Sequence, residues 1–171
     1  MKQELSAEFD ASADRTPADR ATIVVGHDGS ERADDALEMA FELAAALRSP
    51  LVVVRTWSID TAPRGALFHE GYVSSFTEVS ARVQQLLIDE TRLMRDRHPG
   101  VDTEYRGILG QPADVLLAVS RNAKMLVLGS RGSGGFAALM LGSVSEQCVR
   151  HATCSVLVVR SSRRDLDDQR P

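Results

Sequence analysis

From residue 21 onward, short apolar runs alternate with stretches in which apolar residues recur every three or four positions. ATIVVG at 21–26 is continuously apolar and rich in β-branched residues, which predicts a strand covered on both faces. Ser30 can cap a following helix whose first turns hold Glu31, Asp34 and Asp35. Leu37, Ala40, Phe41, Ala44 and Leu47 give that helix its inward stripe, and Pro50 ends it. LVVVRTW at 51–57 is a second buried strand, and 58–71, with Pro63 and Gly65, is expected to be a mobile surface loop. Val79, Val83, Leu86, Leu87 and Met94 mark a long helix that stops near Pro99 and Gly100. VDTEYRG at 101–107 alternates as an edge strand does, and Pro112 opens a short helix through Val115, Leu116 and Val119. KMLVLG at 124–129 is another buried strand. A helix over 142–151, with Val144, Cys148 and Val149 inward, leads to a last strand, SVLVVR, ending on Arg160.

Strands that alternate with helices must run parallel, so the pattern predicts an α/β fold: a doubly wound five-stranded parallel sheet with four helices. A strand order of 3-2-1-4-5 is the choice made among a few topologies. Residues 1–20 and 161–171 are poor in large apolar side chains and are expected to be flexible tails around one domain at 21–160. A chain of 171 residues, 43% of them hydrophobic, suits a single core of that size.

Charge and cysteines mainly remove alternatives. The formal net charge is -4, and half of it sits in the first tail, where Lys2, Arg15 and Arg20 face Glu4, Glu8, Asp10, Asp14 and Asp19. No basic stripe points to nucleic acid or to an anionic membrane surface. No apolar run reaches the roughly 20 residues that span a bilayer, and the polar N-terminus lacks a signal-like apolar core, so a soluble cytoplasmic protein is expected. Cys148 and Cys154 form no CxxC pair and no zinc pattern, and are expected to pack as reduced thiols. Trp57 is read as packing or loop support, and His69, His98 and His151 as scattered, solvated or locally bonded rings.

The candidate chemistry lies in GSRGSGGFAALMLGS, which begins at Gly129 directly after the fourth strand. In a doubly wound sheet, ligands sit beyond the carboxyl ends of strands where the strand order reverses. Both this loop and HDGS after the first strand leave the sheet at that edge. Gly129 and Gly132 let backbone N–H groups approach a ligand, and Gly142 introduces a helix whose first residues Ser143, Val144 and Ser145 present unpaired N–H groups to an anion such as a polyphosphate. A Walker A loop is absent because no lysine follows Gly142, and GxGxxG fails because Phe136 and Ala137 follow Gly134 and Gly135. Gly134 and Gly135 are read as hinges, and 136–141 as an apolar span that packs on the body or on a dimer partner.

The pattern that is filled is G-x2-G-x9-G-[ST], by Gly129, Gly132, Gly142 and Ser143. Together with VVGHDGSERADDAL near the start and CSVLVVR near the end, it resembles the ATP-binding signature of the universal stress protein family across about 21–160. The resemblance implies an adenine-nucleotide alpha hydrolase-like α/β fold, ATP as ligand and a homodimer paired through residues 155–160; in the hydrolytic alternative Mg²⁺ would sit near Asp28 or the phosphates, with no metal-binding residue assigned. It implies that Gly26 and Asp28 line the adenosine end, that Thr56 borders the base, and that Leu128 and Gly129 meet adenine and ribose. Gly132, Gly142, Ser143, Val144 and Ser145 would contact phosphates, and Arg131 is the one cation of the loop. His27 departs from the small or apolar residue usual before the aspartate, and a polar ring there would alter the base pocket or its pH response. No catalytic set is evident, so a nucleotide-dependent regulator in the stress response is expected ahead of the alternative, a slow Mg²⁺-dependent ATPase.

Overall fold

Apolar runs buried on both faces can satisfy their backbone only against one another, and here they pair into a single parallel sheet. In the computed structural model, which describes residues 15–69, 72–132 and 141–160, the elements in chain order are β1 (Ile23–Gly26), α1 (Glu31–Leu47), β2 (Leu51–Trp57), β3 (Phe68–His69), β4 (Tyr72–Val73), α2 (Phe76–Arg97), β5 (Thr103–Leu109), α3 (Pro112–Val119), β6 (Met125–Gly129), α4 (Ser143–His151) and β7 (Ser155–Val159). The main sheet runs β5-β2-β1-β6-β7, which is 3-2-1-4-5 when its own five strands are counted. Val24 lies opposite Val52 on one side and Leu126 on the other, so β1 is central.

Strand alternation divides the core in two. Val24, Val52, Val54, Leu126 and Leu128 face Leu116, Val119 and Cys148 of α3 and α4. Ile23, Val25, Leu51, Val53 and Val127 face Leu37, Phe41 and Ala44 of α1 and Leu87 of α2. Ser30 caps α1 by accepting from the Ala33 N–H, and Ser75 with Glu78 forms a reciprocal capping box on α2. No helix among the described residues is long and apolar enough to cross a membrane.

Several expectations shift. The inward stripe of α1 starts earlier, with Ala33 and Ala36 buried, and ends at Ala44; Leu47, in the last turn, is 46% exposed. On α4, Ser145 and Cys148 take the buried positions, three residues apart, which turns Val149 outward at 49% exposure. The third main strand sits two residues later than the alternation at 101–107 suggests, since β5 pairs with all seven residues of β2. Within 58–71, expected to be a loop, Phe68 and His69 pair antiparallel with Val73 and Tyr72. Residues 15–20 are not a free tail: the Ala18 N–H donates to the Val119 carbonyl at 2.8 Å, Arg106 Nη1 donates to the Thr16 carbonyl at 2.6 Å, and Ala18 is buried. A small side chain beside the unpaired carbonyl at the end of α3 allows that docking. Trp57 supports the loop side as expected, buried with Val79 and Val83 while its Nε1 donates to Ser80 Oγ at 2.9 Å.

Helix α2 lies so close to β5 that a Cβ on Gly107 would run into the Ser80 carbonyl oxygen and stand 2.7 Å from Gln84 N. Gly107→Ala should therefore cost about 1–3 kcal/mol of unfolding free energy in urea melts. Gly100→Ala, with nothing within 4 Å of the added carbon, should change stability by less than about 0.5 kcal/mol.

Candidate functional site

β1 has β2 on one side and β6 on the other, so the connections from β1 and β6 diverge and their carboxyl ends open a crevice at the point where the strand order reverses. The His27 N–H makes a last sheet bond to the Val54 carbonyl at 2.9 Å, and the chain then turns. Asp28 Oδ1 accepts from the Ser30 N–H at 3.1 Å and the Ser30 hydroxyl at 2.7 Å, while Gly29 takes φ +83°, a value that favours glycine. This turn fixes the aspartate at the mouth of the crevice.

The loop after β6 is tied at its base. The Ser130 N–H donates to the Val159 carbonyl and the Gly142 N–H to the Ser130 carbonyl, each at 2.8 Å. The Ser145 hydroxyl donates to the Gly129 carbonyl at 2.7 Å, and the residue is buried, so this side chain anchors α4 to β6. Two glycines stand at close approaches. A Cβ on Gly132 would lie 2.5 Å from Asp28 Oδ2, and one on Gly142 would lie 3.3 Å from Arg131 Cα. The loops after β1 and β6 thus meet where Gly132 touches Asp28. Gly142 is also the N-cap of α4, and no side chain among the described residues caps that helix. Its first-turn N–H groups and the positive end of its dipole suit an anion.

These features border one cleft of about 850 Å³, within the range of small-molecule sites. All eleven residues singled out from sequence line it: Gly26, Asp28, Thr56, Leu128, Gly129, Arg131, Gly132, Gly142, Ser143, Val144 and Ser145. Leu116 and Leu128 crowd Gly26 and make one wall apolar. Gly134, Gly135 and 136–140 lie outside the described residues, whereas Leu141 is described and lines the cleft. Arg55, Glu90, Gln111 and Leu116 also line it and were not anticipated. Arg55 carried a readable signal, a charge inside the otherwise apolar LVVVRTW. Gln111 follows the general rule for strand ends, and Glu90 had no signal beyond the polar side of α2.

Among the described residues no group of three or more His, Cys, Asp or Glu is placed to hold a metal ion. Cys148 is buried and its thiol is pushed up to about 11, so it stays protonated at neutral pH and packs as a small apolar group. Burial holds His27 below the usual histidine value, although a hydrogen bond to Asp34 acts in the opposite direction. The ring is therefore neutral at pH 7.

The model of the universal stress protein family matches residues 20–160. The chain belongs to the universal stress protein family. Universal stress protein Rv2623 of Mycobacterium tuberculosis is 30% identical over 144 residues, covering 84% of this chain and 46% of that protein. A universal stress protein of Mycolicibacterium smegmatis is 34% identical over 143 residues, covering 82% and 46%. The chain spans about half the length of the curated relatives it matches. Among solved structures, a universal stress protein in complex with cAMP is 25% identical with a TM-score of 0.61, covering 85% of this chain and all of that one. The universal stress protein from Archaeoglobus fulgidus in complex with dAMP shares the fold at 19% identity and a TM-score of 0.53, covering 81% and 96%.

The anchor on α4 gives a direct check. Ser145→Ala removes the bond to the Gly129 carbonyl and should lower the unfolding free energy by about 1 kcal/mol in a urea melt. An unchanged midpoint would show that the bond contributes nothing to holding α4 on β6.

Proposed function

We propose that the cleft binds an adenine nucleotide, ATP above all, and that its occupancy governs the conformation or partner choice of this universal stress protein. The observation that carries the reading is the meeting of three parts in one cleft: the Asp28 turn, the Gly132 approach and the uncapped start of α4. The N–H groups of Ser143, Val144 and Ser145 would receive phosphate oxygens, with Arg131 adding charge. The apolar wall of Leu116 and Leu128 would face the base, Thr56 would border it, and Asp28 would accept from ribose hydroxyls. Mg²⁺ would arrive with the phosphates. The similar protein solved in complex with cAMP supports an adenine ligand, and the anion-binding helix start supports a phosphate chain on it.

The same reading includes a homodimer through β7. Among the described residues that strand pairs only with β6, and Val156, Leu157, Val158 and Val159 are only partly buried, which would leave one edge for another chain. Sedimentation equilibrium at micromolar concentration should give twice the chain mass, and a monomer there would remove the dimer from the reading.

Denaturing the freshly purified protein and weighing the released small molecules should identify ATP or a close adenine nucleotide. Calorimetric titration of the emptied protein should then give saturable ATP binding. Gly142→Val should weaken it more than about tenfold, since the side chain has no room beside Arg131 and Gly132, whereas Gly135→Ala should change it by less than about twofold. Equal losses in both variants, or no nucleotide bound by the wild type, would overturn the assignment.

A further inference from the structure

His27 and Arg55 bring polar groups into a place where the surrounding strand positions are apolar. His27 is 4% exposed. Its Nδ1 lies 2.7 Å from Arg55 Nη2 and 3.3 Å from the Gly29 N, and its Nε2 lies 2.9 Å from Asp34 Oδ1. Guanidinium and backbone N–H groups can only donate, so Nδ1 is the acceptor and the ring proton sits on Nε2, donated to Asp34. Arg55 is held further by Nε donating to the His27 carbonyl at 3.3 Å and by Nη1 pairing with Glu90 Oε2 at 2.7 Å. One neutral ring therefore joins the end of β1 to α1 and β2, and through Arg55 to α2.

This arrangement reaches the cleft through the turn. Gly29 directs its N–H to the ring, Asp28 is locked to Ser30 one step away, and Asp28 Oδ2 occupies the space a side chain on Gly132 would need. We propose that His27 is a positioning residue for the nucleotide cleft: its neutral imidazole holds the 27–30 turn so that the Asp28 carboxylate rests against Gly132, and a proton on Nδ1 undoes that placement. The link to ligand affinity rests on the nucleotide reading above; the link from His27 to Gly132 does not.

A proton on Nδ1 would face two donors, Gly29 N–H and the Arg55 cation, and both bonds would be lost. The charged groups around the ring are Asp28 on its own turn, Asp34 from α1 and Arg55 from β2, with Glu90 of α2 behind Arg55. Burial is the largest influence and favours the neutral ring; Asp34 and Asp28 oppose it and Arg55 reinforces it. Titration therefore falls on the acid side of the usual value near 6.5. In that window the unfolded chain takes up its proton first, so stability and turn order both decrease as the pH falls.

ATP affinity measured by calorimetry from about pH 7.5 to about pH 5 should drop on the acid side by about tenfold more in the wild type than in His27→Asn. The asparagine amide oxygen can still accept near the Nδ1 position but takes no proton, so this variant binds more weakly at neutral pH, having lost Asp34, yet shows no acid step. His27→Ala, which has no acceptor at any pH, should bind more weakly than His27→Asn. Arg55→Gln should move the wild-type step to higher pH and Asp34→Asn to lower pH. In the nucleotide-free protein, the amide resonances of Gly29, Asp28 and Gly132 should titrate with the His27 ring. An identical acid step in His27→Asn, or a Gly132 amide that stays still while the ring titrates, would overturn the proposal. If no ATP binds at any pH while the amides follow the ring, the nucleotide reading falls and the positioning role stands.

Discussion

Strand β1 is four residues long, has a parallel neighbour on each side and is covered by helices on both faces, so its chain can leave the core only at its carboxyl end. Its burial is complete at Ile23, Val24 and Val25, and the last sheet bond, from His27 to Val54, is the last place where the fold itself satisfies its backbone. Everything beyond must be satisfied by turns, side chains or ligand. β2 lies on one side, and the parallel strand β6 on the other brings its own outgoing loop to the same edge. The site is where it is because the most buried strand ends there.

Packing at that edge is decided by missing side-chain atoms and missing caps. Gly132 and Gly142 admit close packing where a Cβ would collide with Asp28 or crowd Arg131, which lets the loops after β1 and β6 meet at the mouth of the cleft. The helices α3 and α4 cover the same face of the sheet, both begin at the cleft, and neither has a side-chain cap among the described residues. By contrast, Ser30 and Ser75 cap α1 and α2 with side-chain oxygens. Capping a helix contributes about 1 kcal/mol, so an uncapped start is a small local cost that leaves N–H groups directed at the cleft.

The sheet was legible in the sequence because a strand buried on both faces cannot disguise its apolar run, and β1, β2, β6 and β7 fall within a residue or two of those runs. The lining of the candidate cleft was legible for a different reason: glycine spacing is a backbone property, and the backbone sets that edge. What periodicity could not supply was where a stripe stops. Leu47 and Val149 are apolar and close to the inward spacing of α1 and α4, but each is about half exposed, because which face of a helix turns inward and how far it stays covered are set by what packs against it. The spacing after Gly142 did not announce that the Ser145 hydroxyl is committed to the Gly129 carbonyl, which leaves only the backbone N–H of that residue for an anion. Docking of residues 15–20 depends on Ala18 and on carbonyls of α3 and β5 that lie far along the chain, and composition alone reads such a segment as a tail.

Arg55 is the least expected member of the site and the most instructive about what holds it. Its side chain is 14% exposed, whereas its partner Glu90 is 51% exposed, so solvent screens their attraction and the pair adds little net stability. Removing only Glu90 would leave a nearly buried cation with less to neutralise it, which costs more than the pair contributes. The bonds that remain to Arg55 are to the His27 ring and carbonyl, that is, to the residue before the cleft aspartate. With the screened Glu90 pair adding little, what Arg55 does mainly through its bonds to His27 is to fix geometry. Here the geometry it fixes is that of the turn carrying Asp28.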